Sequence, residues 1–327
     1  MVFKKSSINL RIFILSVFKL SYNFSMEIKE LFIPYKDSKT YVRMIVGNPR
    51  KTPLILLHGG PGSTHNSFEC LDIMSNYDDR TIIMYDQYLC GKSIGGSKEK
   101  VSVDNYLDEL ENIIVYFNFH KVHLLGHSFG GMLIIMLMCD RKPKYVSSII
   151  LADSLSSASL WSEESHRLID SYMPNKYKKI IKKCENKGDF DNKKFKKATE
   201  LYIKMFLASK LDEKEIPENV LACKKLERRN DSYSYEKLWG KSEFSVTGEL
   251  KNYEYTDKLS NISVPTLLIS GSEDESTPYQ NKIMYDHLKC FKKWHLFQNS
   301  RHMTYYDYNI EFIKLVVSFL NSIEKDK

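Results

Sequence analysis

From residue 41 onward, short apolar runs alternate with longer stretches whose apolar residues recur at helical spacing. The runs at 41–46, 54–57, 81–85, 122–125 and 146–151, and later at 266–270 and 294–297, read as buried strands. Segments 103–119 and 132–139 read as helices between them. Ile310, Ile313, Val317 and Leu320 mark a last helix over 310–323. Such alternation predicts an α/β protein with a mostly parallel central sheet flanked by helices. The alternation stops between 153 and 259. That stretch is rich in Lys, Glu, Tyr and Asn and reads as amphipathic helices, at 162–172, 177–184, 194–207 and 217–229. A helical block set between two strands predicts a cap over the carboxyl ends of the strands, where open α/β sheets hold their ligands. The expected organisation is a core over 26–152, a helical cap insertion over 153–259 and the rest of the core over 260–327.

Residues 1–25 stand apart. A basic start at Lys4-Lys5 leads into an apolar stretch from Ile8 to Leu20, interrupted by Arg11 and Lys19. The stretch is too short and too charged for a stable membrane anchor. No small-residue cleavage site follows, so it is a poor secretory signal. The preferred reading is an upstream start codon, with Met26 the working initiator. Formal charge is +7. Much of the lysine lies in 176–197, which reads as a solvated helical surface, and no nucleic-acid-binding motif accompanies it. Cys70, Cys90, Cys139, Cys184, Cys223 and Cys290 show no paired spacing. They read as reduced thiols of a cytoplasmic protein with no metal site.

The chemistry concentrates in Gly126-His127-Ser128-Phe129-Gly130, between the run Val122-His123-Leu124-Leu125 and a helical pattern. Strand, G-x-S-x-G, helix is the context of a nucleophile elbow, a turn so tight that the flanking glycines must lack side chains. A second motif, His58-Gly59-Gly60-Pro61-Gly62, follows the strand at 54–57, where a Gly-rich loop supplies part of an oxyanion hole. The backbone N–H groups of Gly60 and Phe129 are the candidate donors. A serine hydroxyl needs a histidine base, and the histidine an acid to fix its tautomer, in the chain order Ser, acid, His. Asp274, just past the strand at 266–270 and ahead of Pro278 and a helical pattern, is the preferred acid; Asp153, after the preceding strand, is the alternative. His302 is the base, because it alone among the histidines follows the last strand.

Taken together these motifs resemble the proline iminopeptidase family of α/β-hydrolases, closest to the archaeal aminopeptidases that work with the tricorn protease. The resemblance runs from about Met26 to the end. It rests on the His58–Gly62 loop, on Tyr85-Asp86-Gln87 followed by Gly91-Lys92-Ser93, and on Ser128-Phe129-Gly130-Gly131. Glu243-Phe244 with Thr247-Gly248, and Asp274-Glu275 with Thr277-Pro278, complete it. It implies an α/β-hydrolase fold with an inserted helical cap and no cofactor. It also implies that Glu243 and Glu275 hold the substrate's α-ammonium. A cation entering a partly dry pocket needs opposing charge, which two carboxylates supply. One departure stands out: Leu89 occupies a loop position where the family usually has Gly.

The expected protein is therefore a serine aminopeptidase acting on short peptides with a free N-terminus, proline being the family's namesake preference. Association with a larger protease complex is implied by the resemblance alone. A carboxylesterase or other hydrolase on the same triad is the first alternative, and a non-catalytic binding protein on the same frame the second. Trp161, Tyr202, Phe206 and Trp239 are the expected lining of the pocket for the first side chain.

Overall fold

A computed structural model describes residues 27–211, 216–226 and 230–325; the readings made for 1–25 lie outside them. Strands β1 (Ile28–Tyr35) and β2 (Ser38–Ile45) form an antiparallel hairpin. They are followed by β3 (Leu54–Leu57), β4 (Ile82–Tyr85), the two-residue β5 (Ile94–Gly95), β6 (Val122–His127), β7 (Val146–Ala152), β8 (Thr266–Gly271) and β9 (Lys292–Phe297). Among the described residues they make one sheet, in the order β1-β2-β4-β3-β6-β7-β8-β9, with β5 on β2. From β4 to β9 every neighbouring pair is parallel. Every residue of β3, β4, β6, β7 and β8 is buried. That is why these strands read as unbroken apolar runs: helices cover both faces. The β1 strand escapes the hydrophobic pattern because its first half is an exposed edge.

Helices α1 (Val103–Tyr116) and α2 (Phe129–Met136) cover one face, against Ile55, Leu57, Ile83, Leu124 and Leu151. The Ser102 side chain caps α1 by accepting from Asn105 N–H, and the helix ends before Asn118, whose φ is 52°. The α2 helix begins three residues earlier than the apolar pattern suggests, directly after Ser128.

Among the described residues, five α-helices lie between β7 and β8: α3 (Ala158–Tyr172), α4 (Asn175–Glu185), α5 (Lys193–Phe206), α6 (Glu218–Lys225) and α7 (Ser232–Leu238). Ile169, Ile181, Phe195, Tyr202 and Phe244 form a separate core among them. In α4, Ile181 and Cys184 turn inward while Lys176, Lys179, Lys182 and Lys183 face solvent, so the lysine-rich tract is a helix surface. The chain closes with α8 (Pro278–His287), α9 (Thr304–Asp307) and α10 (Asn309–Lys325). The α10 helix packs Phe312, Ile313, Val316 and Leu320 onto the opposite sheet face, against Leu54, Leu56, Leu125 and Ile150. No described helix is long and apolar enough to cross a membrane.

One buried acid ties α1 to the sheet. Glu109 Oε1 accepts from Thr40 Oγ1 of β2 at 2.5 Å, and Oε2 accepts from the backbone N–H of Tyr88 at 2.7 Å. Burial pushes its carboxyl up to about 8, well above the ordinary range. Between the unfolded and folded values the native state binds the extra proton, so this group destabilises the fold as pH rises. Urea unfolding of wild type and Glu109→Gln at pH 5 and pH 8 checks this. Wild type is expected to lose stability relative to the variant across that interval, by at most about 1.4 kcal/mol per pH unit.

Candidate active site

Ser128 occupies the junction of β6 and α2 with φ 53° and ψ −120°, a sparsely populated conformation that typically costs about 1–3 kcal/mol. Two hydrogen bonds hold it there. Ser128 N–H donates to Ala152 O at 3.0 Å, and Ser154 Oγ donates to Ser128 O at 2.9 Å. The flanking glycines have no room for a side chain. A Cβ at Gly126 would lie 2.4 Å from the Gly130 backbone, and one at Gly130 only 2.0 Å from Leu57 O. Phe129 is the first residue of α2, where a backbone N–H has no intrahelical acceptor.

The loop after β3 is shaped by a buried polar scaffold. His58 Nδ1–H donates to Gly59 O at 2.9 Å, and its Nε2 accepts from Gln87 N–H at 3.1 Å. Burial lowers this imidazole to about 4, so it stays neutral and keeps that tautomer. Gln87 Nε2 returns a bond to His58 O at 3.0 Å. Asp86 Oδ1 accepts from both His65 N–H and His65 Nδ1 at 2.7 Å, and Oδ2 accepts from Lys92 N–H. Burial would raise Asp86, but these bonds hold it below the usual range. Gly60 has φ 111°, a conformation suited to glycine.

Asp274 follows β8 and His302 follows β9. His302 Nδ1 donates to Asp274 Oδ1 at 2.7 Å, and Ser276 N–H donates to the same oxygen at 2.8 Å. Burial lowers the His302 pKa below its ordinary value. His302 Nε2 lies 3.9 Å from Glu275 Oε1. Ser128, His302, Glu243, Glu275, Gly59 and Gly60 all line one cavity of about 680 Å³.

Glu243 belongs to the segment between α7 and β8. The indole N–H groups of Trp161 and Trp239 both donate to its backbone carbonyl, at 3.0 and 3.2 Å. Phe244 is sunk into the helical core, and Thr247 and Gly248 N–H donate to Trp239 O at 2.9 and 2.8 Å. With its backbone fixed this way, Glu243 turns its carboxylate to the cavity, where Oε2 accepts from Tyr235 OH at 2.6 Å. Burial raises its pKa. Glu275 is fully buried beside Tyr202, and neither of its oxygens receives a well-formed bond from the described residues. Burial, then the nearby Glu243 and Asp274 charges, push it well above the carboxylate range.

The family model for the alpha/beta hydrolase fold matches residues 52–308. The proline iminopeptidase of Lactobacillus acidophilus is 40% identical over 299 residues, which cover 91% of this chain and 99% of that protein. The proline iminopeptidase of Clostridioides difficile is 41% identical with the same coverage. The crystal structure of the Mycobacterium smegmatis proline iminopeptidase superposes with a TM-score of 0.79 at 25% identity, covering 91% of this chain and 99% of that one. The chain belongs to the proline iminopeptidase family of α/β hydrolases.

Within this family frame, the structure corrects one expectation. Trp161, Tyr202, Phe206 and Trp239 do not line the cavity themselves; Trp161 packs edge-to-face on the His302 ring, centroids 6.1 Å apart, Tyr202 lies beside Glu275, and Trp239 holds the Glu243 carbonyl. Phe195, Ile203, Leu207, Met303 and Tyr305 supply the apolar lining instead. Leu89, the departure from the proline iminopeptidase pattern, has φ 64° and packs against the core without lining the cavity. Sequence reasoning missed His127 and Tyr235. His127 Nε2–H donates to His302 O at 2.8 Å, its ring kept neutral by burial with a pKa of about 3. Only its position beside Ser128 could have drawn attention to it.

The Gly130 contact generates a stability prediction. Gly130→Ala must displace the Leu57 carbonyl or the start of α2, so a loss of about 3 kcal/mol, the upper end of the usual cost of overpacking, is expected. Thermal denaturation checks it, and an unchanged midpoint would show that the turn yields easily.

Proposed function

We propose that the protein is a serine aminopeptidase that releases N-terminal residues, proline and other amino acids, from short peptides. One observation carries the reading: two carboxylates, Glu243 and Glu275, face the cavity that also holds Ser128 and His302. Carboxylates pushed up by burial call for a cation. Glu275 Oε1 lies 3.9 Å from His302 Nε2, which supports a cation held close to the carbonyl that Ser128 would attack. The names of the relatives, proline iminopeptidases, agree with this reading.

In the reading proposed, Ser128 Oγ attacks the carbonyl of the first residue while His302 Nε2 takes the hydroxyl proton. Asp274 holds the imidazole in the required tautomer by accepting from Nδ1–H. The oxyanion is held by the N–H groups of Gly60 and Phe129, each typically worth about 3 kcal/mol in transition-state binding. His302 passes its proton to the leaving amine, then activates the water that hydrolyses the acyl-enzyme. Glu243, steadied by Tyr235, and Glu275 grip the α-ammonium and so measure off a single residue. The cavity, near the middle of the usual range for small-ligand sites, has space for a short peptide.

Paired fluorogenic amides of Pro, Ala and Leu, with free and with acetylated amines, test the assignment. Free amines are expected to turn over and acetylated ones not. Ser128→Ala should lower kcat by about 10⁴-fold or more. Glu243→Gln should raise KM by about 30-fold or more, as loss of a desolvated charge pair does. Equal cleavage of free and acetylated substrates would instead identify a general esterase or amidase.

The pH dependence follows from His302. Its neutral form is the base, and burial lowers its pKa, so the acid limb of kcat should be centred below pH 6.5. A kcat limb centred above 6.5 would contradict it. On the alkaline side, kcat/KM should decline as the substrate's own amine loses its proton.

A further inference from the structure

Asp153 follows β7 as Asp274 follows β8, and the two strands are paired in parallel register, Ala152 opposite Ile269. Both carboxyls are therefore delivered to the same end of the sheet, and both are buried, at 0% and 1% exposure. Asp153 N–H donates to Ile269 O at 2.8 Å, with the residue at φ 49°. Its Oδ2 accepts from Thr304 N–H at 3.3 Å and Thr304 Oγ1 at 2.7 Å, just beyond His302. Its Oδ1 receives no donor from the described residues, and neither does Asp274 Oδ2. The two carboxyls lie within hydrogen-bonding reach of each other.

Two orphaned acceptors side by side in a dry site are costly unless a proton lies between them. We propose that Asp153 is a positioning residue of the active site, a neutral carboxylic acid whose Oδ1–H donates to Asp274 Oδ2. That single proton satisfies both orphans. Oδ2 of Asp153, with its two donors, is then the carbonyl oxygen, and Asp274 keeps one net negative charge for His302. The pair bridges the loop from both sides: Asp274 holds the His302 ring, and Asp153 holds the Thr304 backbone two residues on. Burial, and then the Asp274 charge, push the Asp153 carboxyl well above its ordinary value. Burial raises Asp274 too, but the Ser276 N–H and the Asp153 side chain act to lower it, and the His302 and Ser276 donors on its Oδ1 favour Asp274 as the ionised partner. The other titratable groups facing it are His302 and the neutral His127, whose Nε2 lies 3.8 Å from Asp153 Oδ2. Asp307 lies on the Asp274 side.

This inference rests on the serine-hydrolase reading of Ser128, Asp274 and His302, and its test has one readout that needs no turnover. In infrared difference spectra of wild type against Asp153→Asn at neutral pH, wild type should show the carbonyl band of a buried protonated carboxylic acid, sensitive to D₂O. Absence of that band would overturn the proposal whatever the substrate proves to be. The kinetic arm uses a free-amine aminoacyl amide or, should the peptidase reading fail, an activated ester that Ser128 cleaves. Asp153→Ala leaves Asp274 Oδ2 unpaired and should lower kcat by about 10- to 100-fold with little change in KM. Asp153→Asn offers an N–H donor to Asp274 and an oxygen to Thr304, and should recover most of that loss. Its acid limb in kcat should stay where wild type has it, because a neutral group replaces a neutral group. Were Asp153 ionised, Asp153→Asn would remove a negative charge near His302, lower its pKa and move the limb to lower pH. That shift would also overturn the proposal.

Discussion

Negative charge held away from water is the constraint on which this site depends. Asp153, Asp274 and Glu275 are fully buried, and half-buried Glu243 joins them around His302. Carboxylates so placed cannot all remain ionised without partners. Each partner assigned to them corresponds to a part of the proposed chemistry: the His302 ring for Asp274, a proton for Asp153, and a substrate ammonium for the two glutamates. The apolar wall of Phe195, Ile203, Leu207, Met303 and Tyr305 keeps the dielectric low, which strengthens each of these pairings.

The rest of the fold supplies rigidity to this arrangement. The Ser128 turn is pinned by Ala152 and Ser154, and the His302 loop is held through its ring, its carbonyl and Thr304. His58, Gln87, Asp86 and His65 form a scaffold that shapes the glycine-rich loop without touching the cavity centre. His58 and His127 serve as neutral rings because burial removes their charge and leaves a donor on one nitrogen and an acceptor on the other, whereas His65, paired with Asp86 and Glu69, is shifted toward its charged form.

Much of this was legible in the sequence because parallel strands buried on both faces leave unbroken apolar runs. The runs at 54–57, 122–125 and 146–151 fall on β3, β6 and β7. Chain order and position after a strand brought Ser128, Asp274 and His302 forward, and motif positions did the same for Glu243 and Glu275. The β1 strand was not legible, because an exposed edge lacks the pattern. Position after a strand preferred Asp274 over Asp153 as the acid, but sequence could not show what Asp153 does instead. Both follow adjacent strands, and their difference lies in which oxygen meets His302 and which meets Thr304. The cavity wall was misjudged because Trp161 and Trp239 have a use that spacing cannot reveal, holding the Glu243 carbonyl from behind.

The helical insertion meets the sheet-borne machinery at Gly62. The N–H of Asp231, which caps α7, donates to Gly62 O at 2.8 Å, and the Asp231 carbonyl sits so close that a Cβ on Gly62 would lie 2.2 Å from it. The glycine-rich loop is thus moulded on one side by the insertion itself. A shift of the Asp231 turn would therefore be felt directly in the loop that carries Gly60, so the two segments must move together or not at all.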